Sequence, residues 1–189
     1  MKKKIVLASG NENKLREFRE ILSDFEIISC KALGFTKDIE ETGKSFYENA
    51  LIKAKTVATE LGISAIADDS GLCVDALDGA PGIYSARYAG DGIDIHNNRL
   101  LLKNLEGIKD RKAKFVSVIV CYRPDGSTEF SEGISEGEIL YKPEGKNGFG
   151  YDPIFYSYDL KKSFGTASVE EKNRVSHRSR ALMKIRDKL

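Results

Sequence analysis

Two adjacent carboxylates, Asp68 and Asp69, directly follow a short apolar run, residues 63–67, that we predict to be a buried strand. Carboxylates beside a buried strand are costly to desolvate unless a metal ion, a cation or a proton-transfer role keeps them there. One of the two could hold Mg²⁺ and accept a proton from an attacking water. The pair therefore indicates Mg²⁺ chemistry on a phosphate substrate, although a helix cap or a turn is the simpler interpretation.

A second acidic pair, Glu40-Glu41, precedes a predicted helix that carries Lys53. Mg²⁺ prefers oxygen ligands, and in proteins it typically takes one or two carboxylates together with waters and substrate phosphates. Glu40 or Glu41 would supply such a ligand only where the fold brings it to Asp69, and their adjacency prevents a choice between them. The alternative for the acids is a solvated turn, and Lys53 reaches either a phosphate or solvent.

A turn suited to phosphate follows the first predicted strand and opens a helix. It consists of Ser9, Gly10, Asn11, Glu12, Asn13 and Lys14. Free N–H groups at a helix start bind anions, and the helix dipole contributes about 0.3–1 kcal/mol. Gly10 lets the backbone approach closely and Lys14 adds a charge. A plain strand–helix turn with an Asn cap is the competing interpretation.

A glycine-rich segment between residues 148 and 153 could bind a base. Phe149 or Tyr151 could stack on a purine, and Asp152 could accept hydrogen bonds from base N–H groups. Gly150 follows Phe149 in this segment. A tight loop with packed aromatic residues explains the same pattern without a ligand.

His177 and Arg178 lie on the first turn of a predicted helix that Ser176 caps. Cations at a helix start oppose the helix dipole, so this arrangement disfavours stability. A bound anion or an oxygen-rich base would compensate, which favours a binding role for the two residues.

Composition limits the remaining possibilities. The chain has 189 residues, 41% hydrophobic and 31% charged, which fits one domain, residues 1–189, of an ordinary globular protein. A net charge of +1 favours neither nucleic acid nor a membrane as a partner. Three separated cysteines and two histidines argue against a zinc cluster and favour a reducing compartment. The N-terminal apolar run is too short for a signal peptide, so we expect a cytoplasmic protein.

The predicted elements alternate between strands and helices. Strands are expected at residues 5–8, 25–29, 63–67, 113–122 and 128–140, and helices after Asn11, Ser45, Asp94, Ser168 and Ser176. The strand at 113–122 carries apolar residues on both faces and should be fully buried. The β-α-β-α-β order predicts an α/β fold with a mixed sheet.

Taken together, these motifs resemble the inosine triphosphate pyrophosphatase (ITPase) family, bacterial type. The matching segments are Ser9-Gly10-Asn11 with Lys14, Glu40-Glu41-Thr42-Gly43, Phe46 with Glu48-Asn49-Ala50, Ala67-Asp68-Asp69-Ser70-Gly71-Leu72, residues 79–88, residues 148–153, and Glu171-Lys172 with Ser176-His177-Arg178. They cover nearly the whole chain, and the stretch from Asp68 to Tyr88 is the most specific.

The resemblance implies an elongated, two-lobed, Maf-related α/β fold with a long bent mixed β-sheet flanked by helices and a cleft between the lobes. It also implies a homodimer that requires Mg²⁺. The implied reaction hydrolyses the non-standard purine nucleoside triphosphates ITP, dITP and XTP to the monophosphate and pyrophosphate.

The resemblance also implies roles for individual residues. Asp69 would be the proton acceptor and a metal ligand, with Glu40 or Glu41 as the other metal contact. Residues 9–14, Ser70 and Lys172 would bind the phosphates or the sugar, and residues 149–152, His177 and Arg178 would surround the base. Ser9 stands where many members have Thr, which keeps the hydroxyl group.

Two other functions compete with this interpretation. A Maf-like nucleotide pyrophosphatase would have the same general chemistry with a different base preference. A non-catalytic nucleotide- or RNA-binding module would use the basic residues between 172 and 188. The paired acids Asp68 and Asp69 argue against the binding module, because they would repel a nucleic acid backbone.

Overall fold

The computed structural model describes residues 2–189. Within this range the strands form one sheet in the order β2-β1-β3-β4-β5-β6-β7. The strands are β1 (Lys3–Leu7), β2 (Phe25–Ser29), β3 (Ala65–Val74), β4 (Lys112–Tyr122), β5 (Thr128–Ile139), β6 (Phe155–Ser157) and β7 (Lys162–Ser163). Strand β1 runs parallel to β2 and β3, whereas β6 runs antiparallel to β5 and β7. The predicted α/β fold with a mixed sheet is confirmed.

Five α-helices flank the sheet in the described part of the chain. They are α1 (Glu12–Ile21), α2 (Phe46–Leu61), α3 (Asp94–Asn104), α4 (Val169–Val175) and α5 (His177–Ile185). Short 3₁₀ segments occupy Cys30–Leu33, Asp75–Leu77, Gly82–Arg87, Asp152–Ile154 and Arg186–Lys188. None of the described helices has the length and apolar composition that crossing a membrane requires.

The chain divides into two compact units, and neither is continuous in sequence. Unit 1 contains the residues up to Asp69 together with Ser117–Gly133 and Ser179–Leu189. Unit 2 contains Ser70–Val116 and Ile134–Arg178. Strands β3, β4 and β5 each contribute residues to both units.

Each unit has its own apolar core. In unit 1, residues from β1, β2, β3 and β4 pack with α1 and α5, for example Leu7, Phe18 and Leu182, all fully buried. In unit 2, α3 contributes Leu101 to a cluster that also holds Phe155 and Phe164, again fully buried. Burying these side chains stabilises the elements that carry the polar residues described below.

Local signals explain where the site-bearing helices begin. The Asn11 side chain accepts hydrogen bonds from the N–H groups of Asn13 and Lys14, as expected for the N-cap of α1. Ser45 caps α2 in the same way, and Gly62 ends that helix with φ +67°, a left-handed conformation that favours glycine. The predicted caps of α1 and α2 are confirmed.

Two local predictions are wrong. Strand β3 begins at Ala65 and continues to Val74, so Asp68 and Asp69 lie within the strand and not after its end. Ser70-Gly71 does not turn the chain, because the β-favouring residues that follow extend the ladder. Asp94 does not cap α3: the N-cap is Ile93, and Asp94 lies in the first helical turn.

Candidate functional site

The acid cluster of unit 1 contains Glu41 and Asp69, which share one cation. Lys53 Nζ lies 2.7 Å from Glu41 Oε1 and 3.0 Å from Asp69 Oδ1. The Lys53 and Asp69 side chains are 11% and 8% exposed, so the contact is largely shielded from water. Helix α2 presents Lys53 to the middle of β3, and the segment before α2 presents Glu41. The two predicted acidic segments are therefore brought together.

Glu40, in contrast, is exposed, whereas Glu41 is partly buried. The structure thus distinguishes two neighbours that the sequence alone could not separate. Of the two, Glu41 is the residue next to Asp69.

Asn49 is a member of this cluster that sequence reasoning missed as a site residue. Its side chain is fully buried, and Nδ2 donates to Asp69 Oδ2 at 3.3 Å. Its Oδ1 accepts from the Gly43 N–H at 2.9 Å. A Cβ on Gly43 would lie 2.6 Å from that oxygen, which explains the glycine. The available signal was spacing: Asn49 and Lys53 are four apart on α2 and so share a face.

Asp68 has surroundings of its own, because successive strand residues point to opposite faces of a sheet. Its side chain is fully buried, with Oδ2 2.8 Å from Lys14 Nζ and Oδ1 accepting from Ser117 Oγ at 2.5 Å. The Asp68 carboxylate is therefore paired with the Lys14 ammonium and held by the Ser117 hydroxyl. This leaves Asp69 as the better candidate for proton transfer.

The surroundings of Asp69 shift its proton affinity. Burial raises the pKa of Asp69 even though Lys53 and Lys14 favour its ionised form, and the Glu41 charge adds to the increase. Burial alone would lower the pKa of Lys53, but Asp69 and Glu41 outweigh that effect and raise it. A carboxylate with a raised pKa is a stronger base, which suits a proton acceptor.

The donor set fits a hard divalent cation of the magnesium type. Within residues 2–189, no group of three or more His, Cys, Asp or Glu side chains is arranged to hold a metal. However, Glu41 and Asp69 already direct oxygens at a single cation, the Lys53 ammonium. Two carboxylates suffice for Mg²⁺, because it usually retains waters and takes substrate oxygens as well.

The turn from Ser9 to Lys14 is internally hydrogen-bonded. Ser9 Oγ accepts from the Asn11 N–H at 3.1 Å, and Asn11 Oδ1 accepts from the N–H groups of Asn13 and Lys14. Several of the N–H groups expected to face an anion are thus bound to side chains in this structure. Lys31 lies beside the turn, since a Cβ on Gly10 would be 3.1 Å from its Nζ. Lys31 is a cation that the motif analysis did not select.

The glycine-rich segment of unit 2, residues 148–152, is called the aromatic loop below. Tyr151 is buried and its hydroxyl donates to the Ser85 carbonyl at 2.8 Å, whereas Phe149 is only partly buried. Of the two aromatic candidates, Phe149 is therefore the one that can present a ring face to a ligand. Gly148 has φ +75°, and a Cβ there would overlap the Asp152 carboxylate.

Asp152 and Lys172 form a buried ion pair beneath this loop. Lys172 Nζ lies 2.6 Å from Asp152 Oδ2, and the side chains are 7% and 2% exposed. The same oxygen accepts from the Phe149 N–H at 2.8 Å, and the ammonium lies 4.8 Å from the Phe149 ring centroid. The Asp152 carboxylate thus holds the loop, in addition to any role toward a base.

His177 and Arg178 are both buried at the start of α5. The His177 ring stacks on Phe115, with centroids 4.7 Å apart and planes 11° from parallel. Arg178 donates from Nη2 to Ser70 Oγ at 2.8 Å, and its guanidinium carbon lies 5.9 Å from the Phe149 ring centroid. Unit 2 therefore brings the predicted base-binding residues together with Ser70, which follows Asp69 directly in β3.

Comparisons with known proteins show the family to which the chain belongs. The chain is 52% identical over 185 residues to a dITP/XTP pyrophosphatase of Desulfotalea psychrophila, covering 96% of this chain and 83% of that protein. It is 46% identical over 188 residues to the dITP/XTP pyrophosphatase of Bacillus licheniformis, covering 97% and 96%. The solved Staphylococcus aureus Ham1 protein superimposes with a TM-score of 0.89 at 45% identity, covering 98% of this chain and 97% of that one. The Ham1 family model matches residues 5–188, and the chain belongs to the Ham1 family.

Proposed function

We propose that this protein hydrolyses non-canonical purine nucleoside triphosphates, ITP, dITP and XTP, to the monophosphate and pyrophosphate. The convergence of Glu41 and Asp69 on one cation is the observation that carries the proposal. It supplies a pair of carboxylates suited to phosphate chemistry, and relatives that share about half of the sequence are named dITP/XTP pyrophosphatase. The activity would remove such nucleotides from the nucleotide pool.

In this proposal Asp69 accepts the proton of the attacking water. Asn49 and Lys53 hold the Asp69 side chain in one orientation through its two carboxylate oxygens. Glu41 and Asp69 would hold Mg²⁺. The ion, when bound, supplies Lewis-acid polarisation of phosphate oxygens and a more acidic water.

The cationic residues complete the assignment. Lys14, at the start of α1, would stabilise the negative charge that develops on the leaving pyrophosphate, together with the helix dipole. In unit 2, Lys172 and Ser70 would contact phosphate or sugar, and Phe149 would stack on the purine. Lys14 and Lys53 now pair with the acids, so substrate phosphates would compete for both ammonium groups.

The decisive experiment measures which phosphate product appears. Purified protein is incubated with ITP, XTP, dTTP and UTP, with and without Mg²⁺, and pyrophosphate and orthophosphate are quantified separately. We expect pyrophosphate from ITP and XTP only when Mg²⁺ is present. Faster hydrolysis of dTTP or UTP would instead favour the Maf-like alternative, and orthophosphate as the first product would contradict the proposal.

Glu41 and Glu40 offer a matched test of the metal assignment. Losing a residue that orients a metal ligand typically costs about 10- to 100-fold in metal affinity, and losing a ligand should cost at least as much. Glu41→Gln should therefore raise the Mg²⁺ concentration needed for half-maximal activity by about tenfold or more. The exposed neighbour provides the control, and Glu40→Gln should leave the Mg²⁺ titration unchanged. Equal shifts in the two variants would argue against the choice of Glu41.

Arg178 is proposed to read the oxygen at purine C6. Its guanidinium carries only donors, so the amino group of adenine would leave a buried donor unpaired. Such a loss costs about 1–3 kcal/mol, roughly tenfold to a hundredfold in discrimination. Arg178→Ala should lower the ratio of kcat/KM for ITP to that for ATP by this factor. The exposed Arg174→Ala serves as control, and an unchanged ratio in Arg178→Ala would remove Arg178 from base reading.

We further propose that the protein works as a cytoplasmic homodimer without a nucleic-acid or membrane partner. The three cysteines Cys30, Cys73 and Cys121 are widely separated in the sequence, which is compatible with a reducing compartment. Sedimentation equilibrium of the full chain would measure its mass in solution, and a monomeric mass would contradict the dimer.

A further inference from the structure

Helix α3 holds both backbone polar groups of Gly150, the central residue of the aromatic loop. The Gly150 N–H donates to Asp94 Oδ2 at 2.7 Å, and its carbonyl accepts from Asn98 Nδ2 at 3.1 Å. Asp94 and Asn98 are four positions apart on a helix, so they lie on the same face. One helix face therefore restrains a single loop residue from both sides.

The loop needs such a restraint because its glycines are flexible. Gly148 and Gly150 have φ +75° and +61°, in the left-handed region that glycine enters without steric cost. The same freedom lets an unrestrained glycine leave this conformation. The two hydrogen bonds from α3 select one conformation for Gly150.

The remaining loop residues have anchors of their own. The Phe149 N–H donates to Asp152, and the Tyr151 hydroxyl donates to the Ser85 carbonyl. Gly150 lies between these anchors and directly follows Phe149. The hydrogen bond from its N–H to Asp94 fixes the peptide plane between Phe149 and Gly150, and so restrains the backbone from which the partly buried Phe149 ring projects.

The burial of Asn98 supports a specific role over simple packing. The residue is 7% exposed, and its Oδ1 has no hydrogen-bond partner among the described residues. Burying an unsatisfied amide oxygen is unfavourable, and an apolar residue at this position of α3 would avoid that cost. What the amide provides is the hydrogen bond to the Gly150 carbonyl.

We infer that Asp94 and Asn98 are positioning residues for base binding: they fix Gly150 so that the Phe149 ring is held ready to stack on the purine. The inference rests on the proposed function and extends it to a helix outside the matching motifs. It predicts that α3 controls affinity for the base while leaving the chemistry of phosphate cleavage unchanged.

The test compares Asp94→Ala with Asp94→Asn in steady-state hydrolysis of ITP, with pyrophosphate as a competitive inhibitor in parallel. A hydrogen bond to a charged group lost in Asp94→Ala should raise KM for ITP by about tenfold, with kcat nearly unchanged. The inhibition constant for pyrophosphate should not change, because pyrophosphate has no base. Asp94→Asn should restore most of the affinity, since its amide oxygen can still accept the Gly150 N–H.

Asp91→Ala is the matched control. Asp91 lies just before α3, where its carboxylate accepts a hydrogen bond from the Ile93 N–H at 3.0 Å and contacts the His96 ring. Removing it weakens the start of α3 without removing a hydrogen bond to Gly150. Asp91→Ala should leave KM for ITP unchanged. A KM increase of the same size in Asp91→Ala and Asp94→Ala, or a loss of kcat in place of affinity, would overturn the inference.

A readout without turnover separates this inference from the proposed function. Hydrogen–deuterium exchange of a peptide containing Gly150 should be faster in Asp94→Ala and in Asn98→Ala than in the wild type or Asp91→Ala. Unchanged exchange in both Asp94→Ala and Asn98→Ala would overturn the inference even if the wild type hydrolyses ITP. If the two variants exchange faster but the wild-type protein hydrolyses no purine triphosphate, the restraint by α3 is supported and the proposed function is rejected.

Discussion

Asp69→Asn should reduce kcat for ITP hydrolysis by about 10²- to 10⁴-fold, the range expected for removing a general base. The amide has almost the same shape as the carboxylate but cannot accept the proton of water. KM should change much less than kcat, because the residues assigned to the base and to the phosphates remain. Initial rates of pyrophosphate release at saturating ITP and Mg²⁺ measure the effect.

Two comparisons make the Asp69 result interpretable. Asp75→Asn makes the same chemical change at an exposed acid in the short 3₁₀ segment after β3, and it should keep wild-type activity. Thermal unfolding of Asp69→Asn would show whether the variant is folded. A folded Asp69→Asn variant with activity within about twofold of the wild type would exclude Asp69 as the base.

Lys172→Met should produce the largest loss of stability. The side chain of its partner, Asp152, is 2% exposed, so removing the ammonium leaves a buried carboxylate without its 2.6 Å ion-pair partner. Breaking a buried pair in this way costs about 3–5 kcal/mol. For a protein of this length, that loss lowers Tm by about 6–20 °C. Differential scanning calorimetry measures it.

Two control variants, one double and one single, test this explanation of the Tm loss. The double variant Lys172→Met with Asp152→Asn carries no stranded charge, and its amide oxygen can still accept the Phe149 N–H, so it should regain much of the lost Tm. Lys162→Met removes a partly exposed partner of Glu171, whose ion pair is screened by water, and it should lower Tm much less. A smaller Tm loss in Lys172→Met than in Lys162→Met would contradict the burial argument.

Much of the fold follows from local patterns. The strand predicted at 113–122 is β4, with Phe115, Val118 and Ile119 buried as its two-faced apolar pattern requires. Ser45 and Gly62 mark the ends of α2 because cap chemistry acts within a few residues. In contrast, β6 and β7 have three and two residues, too few to show any periodicity.

The site was predicted less completely, because its contacts join distant parts of the sequence. Lys53 and Asp69 are 16 residues apart, and Arg178 and Ser70 are 108 apart, so spacing carries no signal for either contact. The motifs named these residues as candidates but could not say which pairs meet. Asp94 was predicted to cap its own helix, and its contact with Gly150 depends on tertiary packing that a local rule does not contain.

The interleaved composition of the two units has a consequence for biosynthesis. The core of unit 1 requires Leu182 and Ile185, close to the C-terminus, as well as Leu7 near the N-terminus. A ribosome releases Leu7 long before Leu182 and Ile185, so strands β1 and β2 must wait for α5 to emerge before this core can form. Nascent chains stalled before α5 has emerged should therefore remain protease-sensitive in unit 1, and chains stalled after it has emerged should be more resistant.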